Sequence, residues 1–81
     1  MADVYSRSGI KTLPEVTSIA QKVRATRRKY GMTQAQVAGL SGTGLRFVSE
    51  LERGKPTVAL DKVLAVLSVL GLRLEVTGDD A

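Results

Sequence analysis

Apolar residues recur at helical spacing in four stretches of this chain and at strand spacing in a fifth. Val16, Ile19, Ala20 and Val23 fall on one face of a helix. It opens at Thr12-Leu13-Pro14-Glu15, with Pro near the first turn and an early acid facing the dipole, and it stops at Gly31 after Tyr30. Thr33 has the chemistry to N-cap a second helix, and Gln36, three residues on, can close a capping box. Val37, Ala38 and Leu40 then face inward until Ser41-Gly42 ends the helix. Thr43 caps a third helix with Leu45, Val48 and Leu51 as its buried stripe, and Arg53-Gly54-Lys55-Pro56 stops it. Leu60, Val63, Leu64, Leu67 and Leu70 form the clearest i, i+3, i+4, i+7 pattern. They predict a fourth helix that begins between Thr57 and Asp61 and ends at Gly71. It is too short for a coiled coil, so it reads as a core helix.

Leu72-Arg73-Leu74-Glu75-Val76-Thr77 alternates with period two, the signature of a strand. A lone strand cannot satisfy its own ladder. It must pair with the N-terminal segment, pair with another chain, or fray, and pairing with its own copy across a two-fold axis is the economical solution. Residues 1–12 have no period and contain Ser, Gly and Arg, which reads as a flexible arm. The organisation is thus an arm (1–12), a helical domain (13–71), a dimerisation strand (72–77) and a short tail (78–81).

Composition narrows the chemistry. Eighty-one residues make one small domain with a modest core. There is no cysteine and no histidine, which removes disulfides, the usual zinc sites, a thiol nucleophile and an imidazole base. A carboxylate-only site would have to come from Asp61, Glu50 or Glu52, and nothing arranges two of them with a nucleophile, so the chain is not expected to be an enzyme. No metal or cofactor is implied. Extra stability is then expected from oligomerisation. The N-terminus lacks the apolar core of a signal peptide, and the apolar run Val63–Leu72 is about half a membrane span. A soluble, cytoplasmic protein is expected, associated with the nucleoid and not with a membrane.

The net charge of +4 is unevenly spread. Residues 1–31 carry seven Lys/Arg against two acids, residues 32–55 three against two, and residues 56–81 two against four. A basic front and an acidic back suit a module that meets a polyanion with one face, although solvated surface charge would look the same.

The stretch TQAQVAGLSGTGLRFVSEL, Thr33 to Leu51, joins two short helices through a Gly-containing break, as a helix-turn-helix does. Two helices crossing that closely admit only small or apolar residues at particular positions. Ala38 sits where the helices press together, Gly42 where the turn needs positive φ, and Val37, Val48 and Leu51 at the contacts that set the crossing. All five are suitably filled. Such a motif lays its second helix in the DNA major groove.

On these residues the chain resembles the Xre/Cro-cI family, the DNA-binding domains of lambdoid phage repressors, over roughly residues 15–71. GLRFVSELERGKPTVALDKVLAVLSVLGLRLEV is similar, more narrowly, to HipB-type antitoxins. The resemblance implies a mostly α, lambda-repressor-like domain of four to five helices, with a short C-terminal β-strand (Leu72, Arg73, Leu74, Glu75, Val76) paired across a dimer. It further implies repression of the chain's own operon through a pseudo-palindromic duplex operator, and binding of a HipA-like kinase toxin. A stand-alone Xre regulator without a toxin is the other reading.

By the same resemblance, Gln34 clamps a backbone phosphate at the start of the second helix. Thr43 and Gly44 open the recognition helix, and Gly44, Leu45, Arg46, Ser49 and Glu50 face the bases. Arg46 can take guanine bidentately, or else hold a phosphate. Leu45 offers only an apolar contact, to a thymine methyl or within the helix packing. Glu50 either accepts from cytosine or neutralises Arg46 or Arg53. Phe47 packs in the core or touches DNA sugar or a partner. Arg53, Lys55 and Thr57 lie where the family touches phosphates, and Thr43 and Arg28 join them. Arg28 and Lys29 are equally compatible with a solvated face. Arg27 is expected to pair with Glu52, joining helices 1 and 3.

Overall fold

Residues 13–79 are described by the computed structural model and contain four helices: α1 (Pro14–Lys29), α2 (Gln34–Ser41), α3 (Leu45–Glu52) and α4 (Leu60–Val69). The arm expected over residues 1–12 lies outside them, as do residues 80 and 81.

Each helix begins and ends for a local chemical reason. Pro14 occupies the first turn of α1 with Glu15 beside it, and Arg27, Arg28 and Lys29 fill the last turn, so both ends complement the helix dipole. Thr33 and Gln36 close a capping box on α2. The Gln36 N–H donates to Thr33 Oγ1 at 3.0 Å, and the Thr33 N–H donates to Gln36 Oε1 at 2.8 Å. Gly42 ends α2 at φ 71°, a conformation that a side chain would strain. The Thr43 N–H returns to the Ala38 carbonyl and the Gly42 N–H to the Gly39 carbonyl, a Schellman closure.

The core forms where the helices meet: α2 packs on α3 and α4, and α1 on α3. Val23, Val37, Ala38, Val48, Leu51, Val63, Val66, Leu67 and Leu70 are buried, with Ile19, Met32, Phe47, Val58 and Leu72 packed round the edge. The five positions required by the helix crossing are therefore occupied as the motif demands.

Some sequence expectations are corrected. Leu40 is exposed, because the inward arc of α2 is spanned by Gln34, Val37, Ala38 and Ser41. Leu45 starts α3 at the rim and is also exposed, leaving Val48 and Leu51 as the buried pair. In α4 the buried face is Val63, Val66, Leu67 and Leu70, so Leu60 and Leu64 face out and the stripe is rotated from the one read in sequence. Thr43 does not cap α3. Gly44 occupies the cap without a side-chain bond, and the Thr43 hydroxyl is 2.8 Å from that of Ser41.

Residues 72–78 form no regular secondary structure, and no strand occurs among the described residues. The β-strand expected over Leu72, Arg73, Leu74, Glu75 and Val76 is thus not formed within one chain, since a strand exists only with a ladder partner. Its period-two pattern nevertheless has a physical counterpart. Leu72 and Leu74 share grooves with Ser18 and Ile19 of α1, one of which Arg73 also borders, while the side chains of Arg73 and Glu75 are largely exposed and pair at 3.0 Å.

Candidate nucleic-acid interface

α3 is gripped from behind and bare in front. Val48 and Leu51 lock its inner face into the core, and Gly44, Leu45 and Arg46 stand exposed at its start. Arg46 is almost fully accessible, with 90% of its side chain exposed. Ser49 and Glu50, one turn on, are half-buried. Arg46 Nε donates to Glu50 Oε2 at 3.3 Å, and Lys55 Nζ donates to Glu50 Oε1 at 3.3 Å. Glu50 therefore bridges the front of the helix to the loop behind it. The hydrogen bond from Lys55 holds its carboxyl below the usual carboxylate range; burial opposes this and Arg46 assists. Exposed pairs of this length are weak, so releasing Arg46 to an outside acceptor costs little.

A second charged group sets the angle of the motif from within. Arg27 Nε donates to Glu52 Oε2 at 2.6 Å and its Nη2 to Glu52 Oε1 at 3.0 Å, a bidentate pair between α1 and the end of α3. Arg27 Nη1 also donates to the Met32 carbonyl at 2.8 Å, so the same guanidinium ties down the link between α1 and α2. The two side chains are only 12% and 4% exposed. Burial pushes the Glu52 carboxyl up, but hydrogen bonds from Arg27 and Gln34 and the fields of Arg27 and Arg24 outweigh it, and its pKa falls. The bond to Glu52 raises that of Arg27.

Residues 23–76 match the helix-turn-helix family profile, two thirds of the chain. The chain belongs to the helix-turn-helix family. It is also 39% identical over 66 residues to the uncharacterized HTH-type transcriptional regulator y4mF of Sinorhizobium fredii, an alignment covering 82% of this chain and 87% of that protein.

Within this helix-turn-helix domain the positions expected at DNA divide into two sets. Gly44, Leu45 and Arg46 are exposed together on the front of α3. Arg53, Lys55 and Thr57 are exposed just beyond the helix, and Arg28 is exposed near the end of α1. Among the described residues Arg28 and Arg53 make no ion pair, so their charge is available to an outside anion. Gln34 is placed differently. Its Nε2 donates to Glu52 Oε1 at 3.0 Å, so its side chain belongs to the Arg27–Glu52 group.

Sequence reasoning missed three of these contacts. Gln34–Glu52 joins residues 18 apart and has no local signal. Lys55–Glu50 was legible in principle, since a Schellman turn at Gly54 folds the chain back with the Lys55 N–H on the Glu50 carbonyl. The third is Lys62, whose Nζ lies 5.9 Å from the Phe47 ring centre and covers the outer face of that half-buried residue. Among the described residues no group of three or more His, Cys, Asp or Glu gathers to hold a metal, and no helix is long and apolar enough to cross a membrane.

Proposed function

We propose that this chain is a sequence-specific, homodimeric transcriptional repressor that inserts α3 into the major groove of duplex DNA. The observation that carries this reading is the exposed front of α3, with Gly44, Leu45 and Arg46 presented by a helix whose other face is locked in the core. Arg46 reads a base edge, and Leu45 offers an apolar surface to a thymine methyl. Ser49 lies one turn deeper. Glu50 holds Arg46 and Lys55 until DNA competes for them. Arg28, Arg53, Lys55, Thr57 and Thr43 meet phosphates around this centre, which fixes orientation and adds salt-dependent affinity. Two copies place their recognition helices about 34–36 Å apart on a pseudo-palindrome. The acting compartment is the one that holds the DNA, the cytoplasm.

The test is a mobility-shift titration of the chain against the promoter region of its own operon and against random duplex. Tighter binding to the promoter is expected. Arg46→Ala is expected to remove about 1–3 kcal/mol of the discrimination, while Arg53→Ala weakens both duplexes alike and lowers the salt dependence. Equal affinity for the two duplexes overturns the proposal.

A finer reading makes the chain a HipB-type antitoxin that also holds a HipA-like kinase toxin. It is supported by the ELERGKPT stretch, Glu50 to Thr57, and by the alternating tail that follows α4. A stand-alone regulator fits the domain and the relative's name equally well. Co-purification with the product of the adjacent gene separates them: a kinase bound to this chain favours the antitoxin, and a chain that elutes without a partner is a solitary regulator.

A further inference from the structure

The segment after α4 carries a pattern that is complementary to itself. Leu72 and Leu74 line grooves against α1, in one of which Arg73 also takes part; Leu74 is 42% exposed and Val76, next in the same alternation, 93% exposed. Arg73 and Glu75 occupy the opposite, solvent-facing row, and 84% and 65% of their side chains are accessible. The proposed function calls for a homodimer, and the sequence pattern makes pairing of this segment with its own copy the economical way to form it; the inference rests on that reading.

A two-fold axis relating two antiparallel strands stands perpendicular to the sheet. It keeps each row of side chains on its own face, so directly opposed residues must belong to the same row. The axis therefore passes through a residue and never between two. Centring it on Arg73 sets Arg opposite Arg, and centring it on Glu75 sets Glu opposite Glu; directly opposed like charges are destabilising. Centring it on Leu74 sets Arg73 against Glu75 of the second copy twice over. The same register lays Val76 against Leu72 of the second copy and Leu74 against its own counterpart, which makes one continuous apolar row.

We propose that two copies of this chain pair antiparallel with the axis at Leu74, and that reciprocal Arg73–Glu75 contacts select this register. The Arg73–Glu75 bonds of 3.0 Å, one within each separate chain, are exchanged one for one for two such bonds between chains. In this arrangement the exposed pair acts as a key for the chain's own copy and excludes strands without the same R-L-E order.

The test is sedimentation equilibrium on the full chain. Arg73→Glu and Glu75→Arg each set like charges opposite one another twice, and each is expected to weaken the dimer roughly tenfold. An equimolar mixture of the two variants is expected to restore it as a heterodimer, and the double variant R73E/E75R to restore it as a homodimer. Cysteine placement gives an independent readout, because the chain has none of its own. In this register Leu74→Cys crosslinks to its own copy. Arg73→Cys and Glu75→Cys crosslink to each other and not to themselves, since opposed Cα atoms are about 5 Å apart and shifted ones roughly 8 Å. Single charge reversals that leave the dimer unchanged, or a self-crosslink at position 73 or 75, overturn the register. A chain truncated after Gly71 that remains a tight dimer overturns strand pairing itself, so the two failures are distinguishable.

Discussion

The segment from Thr33 to Glu52 and the segment from Leu72 to Val76 are both short and both apolar-patterned, yet only the first is complete within one chain. The first closes its own local hydrogen bonds, with a capping box at Thr33 and a Schellman turn at Gly42, and is tied to α1 by the bidentate Arg27–Glu52 pair. The second has no ladder among the described residues, and its last apolar side chain stands in water. Hydrogen bonds that run a few residues along the chain are satisfied as soon as the chain folds. Those that run between strands wait for a second strand. The exposed front of α3 is therefore complete within one chain, whereas the proposed pairing of the tail needs a second strand.

The largest expected effect comes from opening the closed region at the nearly buried Arg27–Glu52 ion pair. Arg27→Ala removes three hydrogen bonds and leaves the Glu52 carboxylate nearly buried beside Gln34 alone. A loss of about 3 kcal/mol is expected in urea unfolding, a large share of the total stability of a small domain. Replacing both partners, as R27M/E52L, should recover much of it, because no stranded charge remains. If Arg27→Ala unfolds at the wild-type midpoint, the helix-turn-helix is held by its apolar contacts alone.

Acid probes the same pair more gently. The Glu52 pKa is lower in the folded chain than in the unfolded one, so between the two values the unfolded state binds more protons and stability rises with pH. The contribution of Glu52 is complete above the unfolded carboxylate pKa of about 4.3 and is lost as pH falls through its folded value. Glu50 adds a smaller slope of the same sign. A Glu52→Gln variant should start less stable at neutral pH and lose less on acidification, as followed by urea midpoints from pH 7 to 3. Parallel curves for the two proteins would show that Glu52 carries none of the acid sensitivity.

The same contrast explains how much was legible in the sequence. Caps, turns and the five crossing positions are local, so Thr33, Gln36 and Gly42 could be read directly. Faces were harder. Leu40 and Leu64 fit a helical stripe by spacing, but which arc is buried depends on the neighbours, and α2 turns Gln34 and Ser41 toward the domain while α4 buries Val66. Gln34 could be placed at the start of α2 by its position, but its Glu52 contact crosses 18 residues and needs the fold. Thr43 carried a cap's chemistry one residue too early, and its hydroxyl is used within the turn instead. For the tail the alternation was legible. Within one chain it yields only the groove contacts of Leu72 and Leu74 with α1, because a strand needs a ladder partner that a single chain does not supply.

The smallest expected effect on the fold is at the open end of the comparison. Val76 is 93% exposed, so Val76→Ser removes almost no burial from the single chain. At dilutions where the chain is monomeric its urea midpoint should stay within about 0.5 kcal/mol of wild type. At higher concentration the two proteins should diverge. Under the proposed pairing the wild-type chain is stabilised by mass action and its midpoint should rise with protein concentration, whereas the variant lacks an apolar cross-strand contact and should rise less. A midpoint independent of concentration in both proteins would mean that the tail is not completed by a second copy. A Val76→Ser variant that is destabilised even when dilute would mean that the segment is already part of the single-chain core.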